Sequence, residues 1–152
     1  MIPQTLRGAA AGAAGTTALN AITYLDMAWR GRPASSTPQD TVERAAAEVG
    51  VDVPGEGDDR DNRVSAIGSL TGLATGVGVG AAYGLLTSFG RRPPAWAGAL
   101  ITAGAALVGA NGPMTALGVT DPRTWSTTDW VSDVVPHLAY GLVTAVVLAD
   151  SS

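Results

Sequence analysis

Two long stretches of this chain carry no charge. Between Arg63 and Arg91 the only ionisable side chain is Tyr83, and between Arg92 and Asp121 there is none. A helix that crosses the hydrocarbon core of a bilayer needs ~20 largely apolar residues, and both gaps exceed that length. Residues 64–89 and 95–119 are therefore expected to form two membrane spans. The sequence Arg91-Arg92-Pro93-Pro94 between them reads as a short turn, because a Pro-Pro pair cannot continue a helix.

Weaker runs lie on either side. Residues 130–149 are apolar apart from Asp133, Pro136 and His137, and read as the last span. Residues 6–29 hold mainly Ala, Gly and Thr, and read as the first. That run could be mistaken for a signal peptide, but it lacks a leucine-rich core and no A-x-A site follows it. A retained helix is the expectation. Trp29 closes the first span, Trp96 opens the third, and Trp125 and Trp130 precede the fourth. Indole rings favour the lipid–water boundary. The expected architecture is all-α, a four-helix transmembrane bundle in one membrane domain (1–152) with a polar loop at 30–63.

Composition agrees. Charged residues make up 14% of the chain, against about 25% in an ordinary soluble domain. Ala and Gly dominate the apolar share, and they bury little area per residue. A soluble Ala/Gly-rich helical protein fails on the two uncharged runs. With no Cys there is no disulfide or thiolate chemistry. A single His excludes a multi-His metal site within one chain. The net charge of −4, with no basic patch, argues against nucleic-acid binding. There is no nucleophile–base–orienter set, no zinc motif and no glycine-rich phosphate loop after a strand. Gly76-Val77-Gly78-Val79-Gly80 sits inside an apolar helix and is not a nucleotide fingerprint. Neither an enzyme nor a cofactor is expected.

Orientation follows the arginines. Six (Arg30, Arg32, Arg44, Arg60, Arg63 and Arg123) fall on the side of the long loop, and three (Arg7, Arg91 and Arg92) on the other. The positive-inside rule then puts the long loop in the cytoplasm and both chain ends outside. Within that loop Thr37 reads as a helix N-cap, Pro38 as its first residue and Asp40 as a first-turn acid. Val42, Ala45, Ala46 and Val49 share one face and Gly50 stands where the helix should end. A short amphipathic helix on the bundle or the lipid interface is expected. The acidic segment 56–62 lacks the spacing of a calcium loop and reads as a flexible, solvated linker.

The most specific pattern is a ladder. Gly68, Gly72, Gly76, Gly80 and Gly84 recur every fourth residue. Four residues advance a helix by about 400°, so the stripe precesses slowly and forms a shallow groove. Each Gly costs roughly 1 kcal/mol relative to Ala in a helix interior, which close helix–helix contact offsets. This glycine zipper should be buried in protein. Within the chain its partners are Gly8, Gly12 and Gly15 of the first span, or Gly98, Thr102, Ala105 and Gly109 of the third. A homo-oligomeric interface and a glycine-lined pore are the alternatives.

A polar layer is the second pattern. Asn20, Tyr24 and Asp26 lie towards the end of the first span, and Asp133, His137 and Tyr140 near the start of the fourth, on the same side. At 1.5 Å per residue, Asn20 and His137 sit roughly 10–14 Å inside the tryptophan boundary. Asn111, followed by Gly112 and Pro113, joins them where the third span should break or kink. Asp133 and His137 are four residues apart, as are Asp26 and Arg30, so each pair shares a face. Ionisable groups at membrane depth point to function, here a proton-responsive gate or relay. The structural alternative is interhelical glue.

The segments Ala18-Leu19-Asn20-Ala21-Ile22-Thr23-Tyr24-Leu25-Asp26-Met27-Ala28 and Arg30-Gly31-Arg32-Pro33-Ala34-Ser35-Ser36-Thr37-Pro38, with the later Pro136-His137-Leu138-Ala139-Tyr140-Gly141, resemble an uncharacterised family of small actinobacterial integral membrane proteins with no known activity. The resemblance covers about a third of the chain. It implies a multi-pass inner-membrane setting and adds no functional residue. The expected function is a non-enzymatic structural or accessory subunit, whose partners are the lipid bilayer and either further copies or another membrane protein. The alternative is a small oligomeric channel or proton-linked transporter that uses Asn20, Asp133 and His137.

Overall fold

The computed structural model describes residues 3–90 and 93–150. These form five α-helices: α1 (Gln4–Arg30), α2 (Thr37–Glu48), α3 (Gly57–Ser88), α4 (Ala95–Ala116) and α5 (Thr127–Asp150). A 3₁₀ turn at Pro122–Thr124 precedes α5, and no strand occurs among the described residues. The four long helices run alternately up and down. α1 packs on α3 and α5, and α5 packs on α4, while α3 and α4 meet only lightly. The order around the ring is α3, α1, α5, α4.

Local sequence sets the helix ends. Pro3 precedes α1, and its carbonyl accepts from the Leu6 and Arg7 amides. Gly31 ends α1 at φ 63°, a conformation that costs other residues a Cβ clash. The Ser36 hydroxyl donates to the Asp40 carboxylate across the first turn of α2. The N-cap position is Ser36 where sequence pointed to Thr37, a shift of one residue, and its side chain bonds to no first-turn amide. At α5, the Ser126 amide and hydroxyl both donate to Asp129, and the Asp129 amide donates back to the Ser126 hydroxyl. That reciprocal cap satisfies donors that a helix start leaves free.

Two expectations change at helix ends. The acidic segment 56–62 is not a flexible linker, because α3 begins at Gly57 and carries it as helix. Asp58 and Asp59 stand in the first turn, where the helix dipole favours negative charge. Arg60 bridges to Glu43 of α2 at 2.6 Å and Arg63 donates to the Pro54 carbonyl at 2.7 Å. Burial of Val42, Val53 and Val64 together ties α2 to the same extension. The second change is in α4, which runs through Pro113 to Ala116 and does not break at Asn111. Pro113 gives up the amide that would bond to the Gly109 carbonyl, and the helix continues one turn past it.

Three helices, α3, α4 and α5, are long and apolar enough to cross a membrane. The four-helix transmembrane bundle expected from sequence is shown only to that extent. With 27 residues α1 is long enough, but Gly, Ala and Thr occupy positions that Val, Leu and Ile fill in the other three. The turn residues Arg91 and Arg92 lie outside the described residues.

Candidate functional site

The ladder meets α1 over part of its length. A Cβ on Gly80 would stand 2.6 Å from Gly12 Cα, and one on Gly84 2.9 Å from Gly8 Cα. In return, a Cβ on Gly8 would reach Gly84 Cα at 2.8 Å, and one on Gly12 would reach Gly80 Cα at 3.0 Å. Backbone lies on backbone, with no room for a methyl group. At Gly76 the neighbours are Thr16 and the Tyr140 ring, and at Gly68 they are the atoms of Pro38 in α2. Gly72 departs from the expectation, since nothing lies within 4 Å of its Cβ direction. The stripe turns about 40° per step of four residues, and at Gly72 it has left α1 without reaching α2.

Tyr140 fills the centre. It is fully buried, and its hydroxyl donates to the Gly76 carbonyl at 2.6 Å. Thr16 donates to Gly12 O at 2.9 Å, and Thr102 to Gly98 O at 2.8 Å with Gly141 O at 3.3 Å. These threonine hydroxyls are tied to carbonyls of their own bundle, so they enter an apolar interior at modest cost. Sequence reasoning named Thr102 only as a packing position for the ladder and missed Thr16, because a Thr in an apolar run gives no sign of which way it faces. Thr144 is buried beside Gly15.

The polar layer separates into two groups and three stragglers. In the first group, the Asn111 amide donates to Asp133 Oδ2 at 2.7 Å. His137 Nδ1 lies 2.7 Å from the Asp133 carbonyl and 3.6 Å from its Oδ1. A carbonyl oxygen can only accept, so Nδ1 donates in this contact. The His137 and Asp133 side chains are only 10% and 22% exposed. The second group is Asp26, held by Arg30 at 2.6 Å and by Arg32 at 2.7 Å, with Arg30 donating on to Ser132 of α5 at 2.5 Å. Ser132 was not read from sequence, and Arg32 entered there only through the orientation argument.

Asn20 and Tyr24 join neither group. Both are exposed, because the turn of α1 carries them away from α5. Among the described residues the Asn20 side chain makes no hydrogen bond. Tyr140 also leaves the layer for the bundle centre. A cleft of about 240 Å³ lies over the second group, lined by Asp26, Arg30, Thr127, Thr128, Val131 and Ser132. A smaller one of about 110 Å³ separates α3 from α4 and is apolar except for Tyr83 and Thr102. No cluster of three or more His, Cys, Asp or Glu side chains that could hold a metal ion occurs among the described residues.

Outside the spans, the Asp121 carboxyl is held below the usual carboxylate range by the Arg123 guanidinium, and Asp129 by its bonds from Ser126. Comparison of the chain with known protein families, curated proteins and solved structures gives no match.

Proposed function

We propose that the chain is a four-span protein of the inner (plasma) membrane with a structural or accessory role and no catalysis. The observation that carries this reading is the closed interior. Tyr140, Thr102 and Thr144 are fully buried between helices joined backbone to backbone. The interior therefore offers a substrate or an ion no passage. In this reading α1 is the fourth span, the long loop is cytoplasmic, and further copies or a second membrane protein are the partners. The test is native mass in a mild detergent after carbonate washing of the membranes. The chain should stay in the washed membrane and run either as a closed oligomer or with a bound partner. Release by carbonate would remove the membrane assignment, and a bare monomer would remove the partner.

One observation favours a second reading. Asn111, Asp133 and His137 are joined at short range and little exposed, which suits a proton-responsive switch. His137→Ala would then abolish a pH-dependent activity while the chain stays folded, and an unchanged pH response would dismiss it.

A further inference from the structure

We infer that α1 is a conditional span, one that crosses the membrane only while its glycines are seated on α3 and α5. This rests on the membrane reading given above. Three observations lead to it. First, α3, α4 and α5 are long and apolar enough to cross by themselves, and α1 is not among them. From Gly8 to Asp26 its only large aliphatic side chains are Leu19, Ile22 and Leu25. Second, its outward surface adds no lipid affinity at mid-length, where Thr17 and Asn20 are exposed. The outward surfaces of α4 and α5 carry Leu100, Ile101, Val108, Leu138, Leu142 and Val146 instead.

Third, the inward surface of α1 is fitted closely to its two neighbours. Gly8 and Gly12 meet Gly76, Gly80 and Gly84 of α3, and Gly15 meets Tyr140 and Thr144 of α5. Backbone-to-backbone packing of this kind holds helices together in lipid without hydrophobic drive. Partition into lipid therefore places α3, α4 and α5, and contact with them places α1. A substitution on α3 that lipid alone would welcome should then expel a different helix.

The chain has no Cys, so single cysteines report sidedness cleanly. Thr5→Cys at the start of α1, Ser35→Cys in the long loop and Asp150→Cys at the end of α5 are introduced one at a time. Each is labelled in intact cells with a membrane-impermeant thiol reagent. In the otherwise unchanged chain, Thr5→Cys and Asp150→Cys label alike, and Ser35→Cys labels from the opposite side. With Gly80→Leu on α3, Thr5→Cys should move to the Ser35→Cys side while Asp150→Cys stays. Gly8→Leu should do the same, although it makes α1 more apolar.

If Thr5→Cys keeps the side of Asp150→Cys in both variants, α1 inserts by itself and the inference is overturned. Where the leucines leave too little chain, Gly80→Ala serves. A population divided between the two sides supports the conditional span, and undivided labelling overturns it. Carbonate release of the unchanged chain, or labelling of all three positions from both sides, would overturn the membrane reading itself and is thereby distinguished.

Discussion

The Tyr140 hydroxyl on α5 reaches across the bundle to the Gly76 carbonyl on α3 at 2.6 Å. Removing it should cost about 1 kcal/mol, the usual net worth of a buried hydrogen bond. Tyr140→Phe is thus expected to lower the thermal midpoint in detergent slightly and keep the fold. Tyr140→Ala leaves a hole in the core and should cost about 3–5 kcal/mol. A denaturation series of the two variants checks the order.

Glycines of the same ladder should behave in opposite ways. Gly12→Ala and Gly80→Ala force a methyl group onto backbone and are expected to cost about 1–3 kcal/mol. Gly72→Ala meets open space and should be neutral or stabilising by up to ~1 kcal/mol, from helix propensity. Thermal midpoints of the three variants decide this. Equal losses at Gly72 and Gly80 would mean that the contact surface extends further along α3.

Asn111 supplies the amide donor that holds Asp133 Oδ2. Hydrogen bonds to charged groups are worth about 1.5–3 kcal/mol, so Asn111→Ala should destabilise by that order. Asn111→Gln, with the amide one methylene further out, should recover only part. Unfolding in detergent at neutral pH gives the comparison.

Val64 is buried with Val42 and Val53 and fastens α2 to the start of α3. Val64→Ala deletes two buried carbons at ~0.8 kcal/mol each, a loss of about 1.6 kcal/mol. Amide hydrogen exchange should quicken across α2 (Thr37–Glu48) and stay unchanged in α4 and α5. Uniform quickening through all helices would show that the loop helix and the bundle unfold together.

Asp129 caps α5 and is held below the usual carboxylate range by the side-chain and then the backbone hydrogen bond from Ser126. A depressed carboxyl stabilises the fold above its ordinary titration range, and that contribution is lost as pH falls through the lowered value. The first turn of α5 should therefore fray in acid, read as faster exchange at Trp130, whose amide donates to Ser126 O. Asp129→Asn should show less of this acid dependence.

The two charge-free runs and the fourfold glycine repeat carried much of the fold in plain sequence, because charge and glycine spacing survive without knowledge of neighbours. The loop helix was legible for a similar reason: Thr37, Pro38, Asp40 and Gly50 are local signals, and they missed the observed cap by a single residue. Segment 56–62 was misread because acidic composition looks solvated, whereas acids also favour the first turn of a helix and Arg60 meets Glu43 from a distant position. The direction in which the polar layer's side chains face was not legible. The rotation of α1 turns Asn20 outward and leaves only Asn111 to meet the Asp133–His137 pair on α5. Helical rise can be counted from sequence, whereas the angle at which one helix presents itself to another depends on its neighbours.

The light meeting of α3 and α4 gives the ring one slack side. Local opening follows the path that gives up the fewest contacts. Here that path leaves the glycine seat between α1 and α3, and the α4–α5 pair, undisturbed. An opening there would run like that of a book, with α1 and α5 as its spine and the apolar cleft lined by Leu86 and Ile101 at its opening edge.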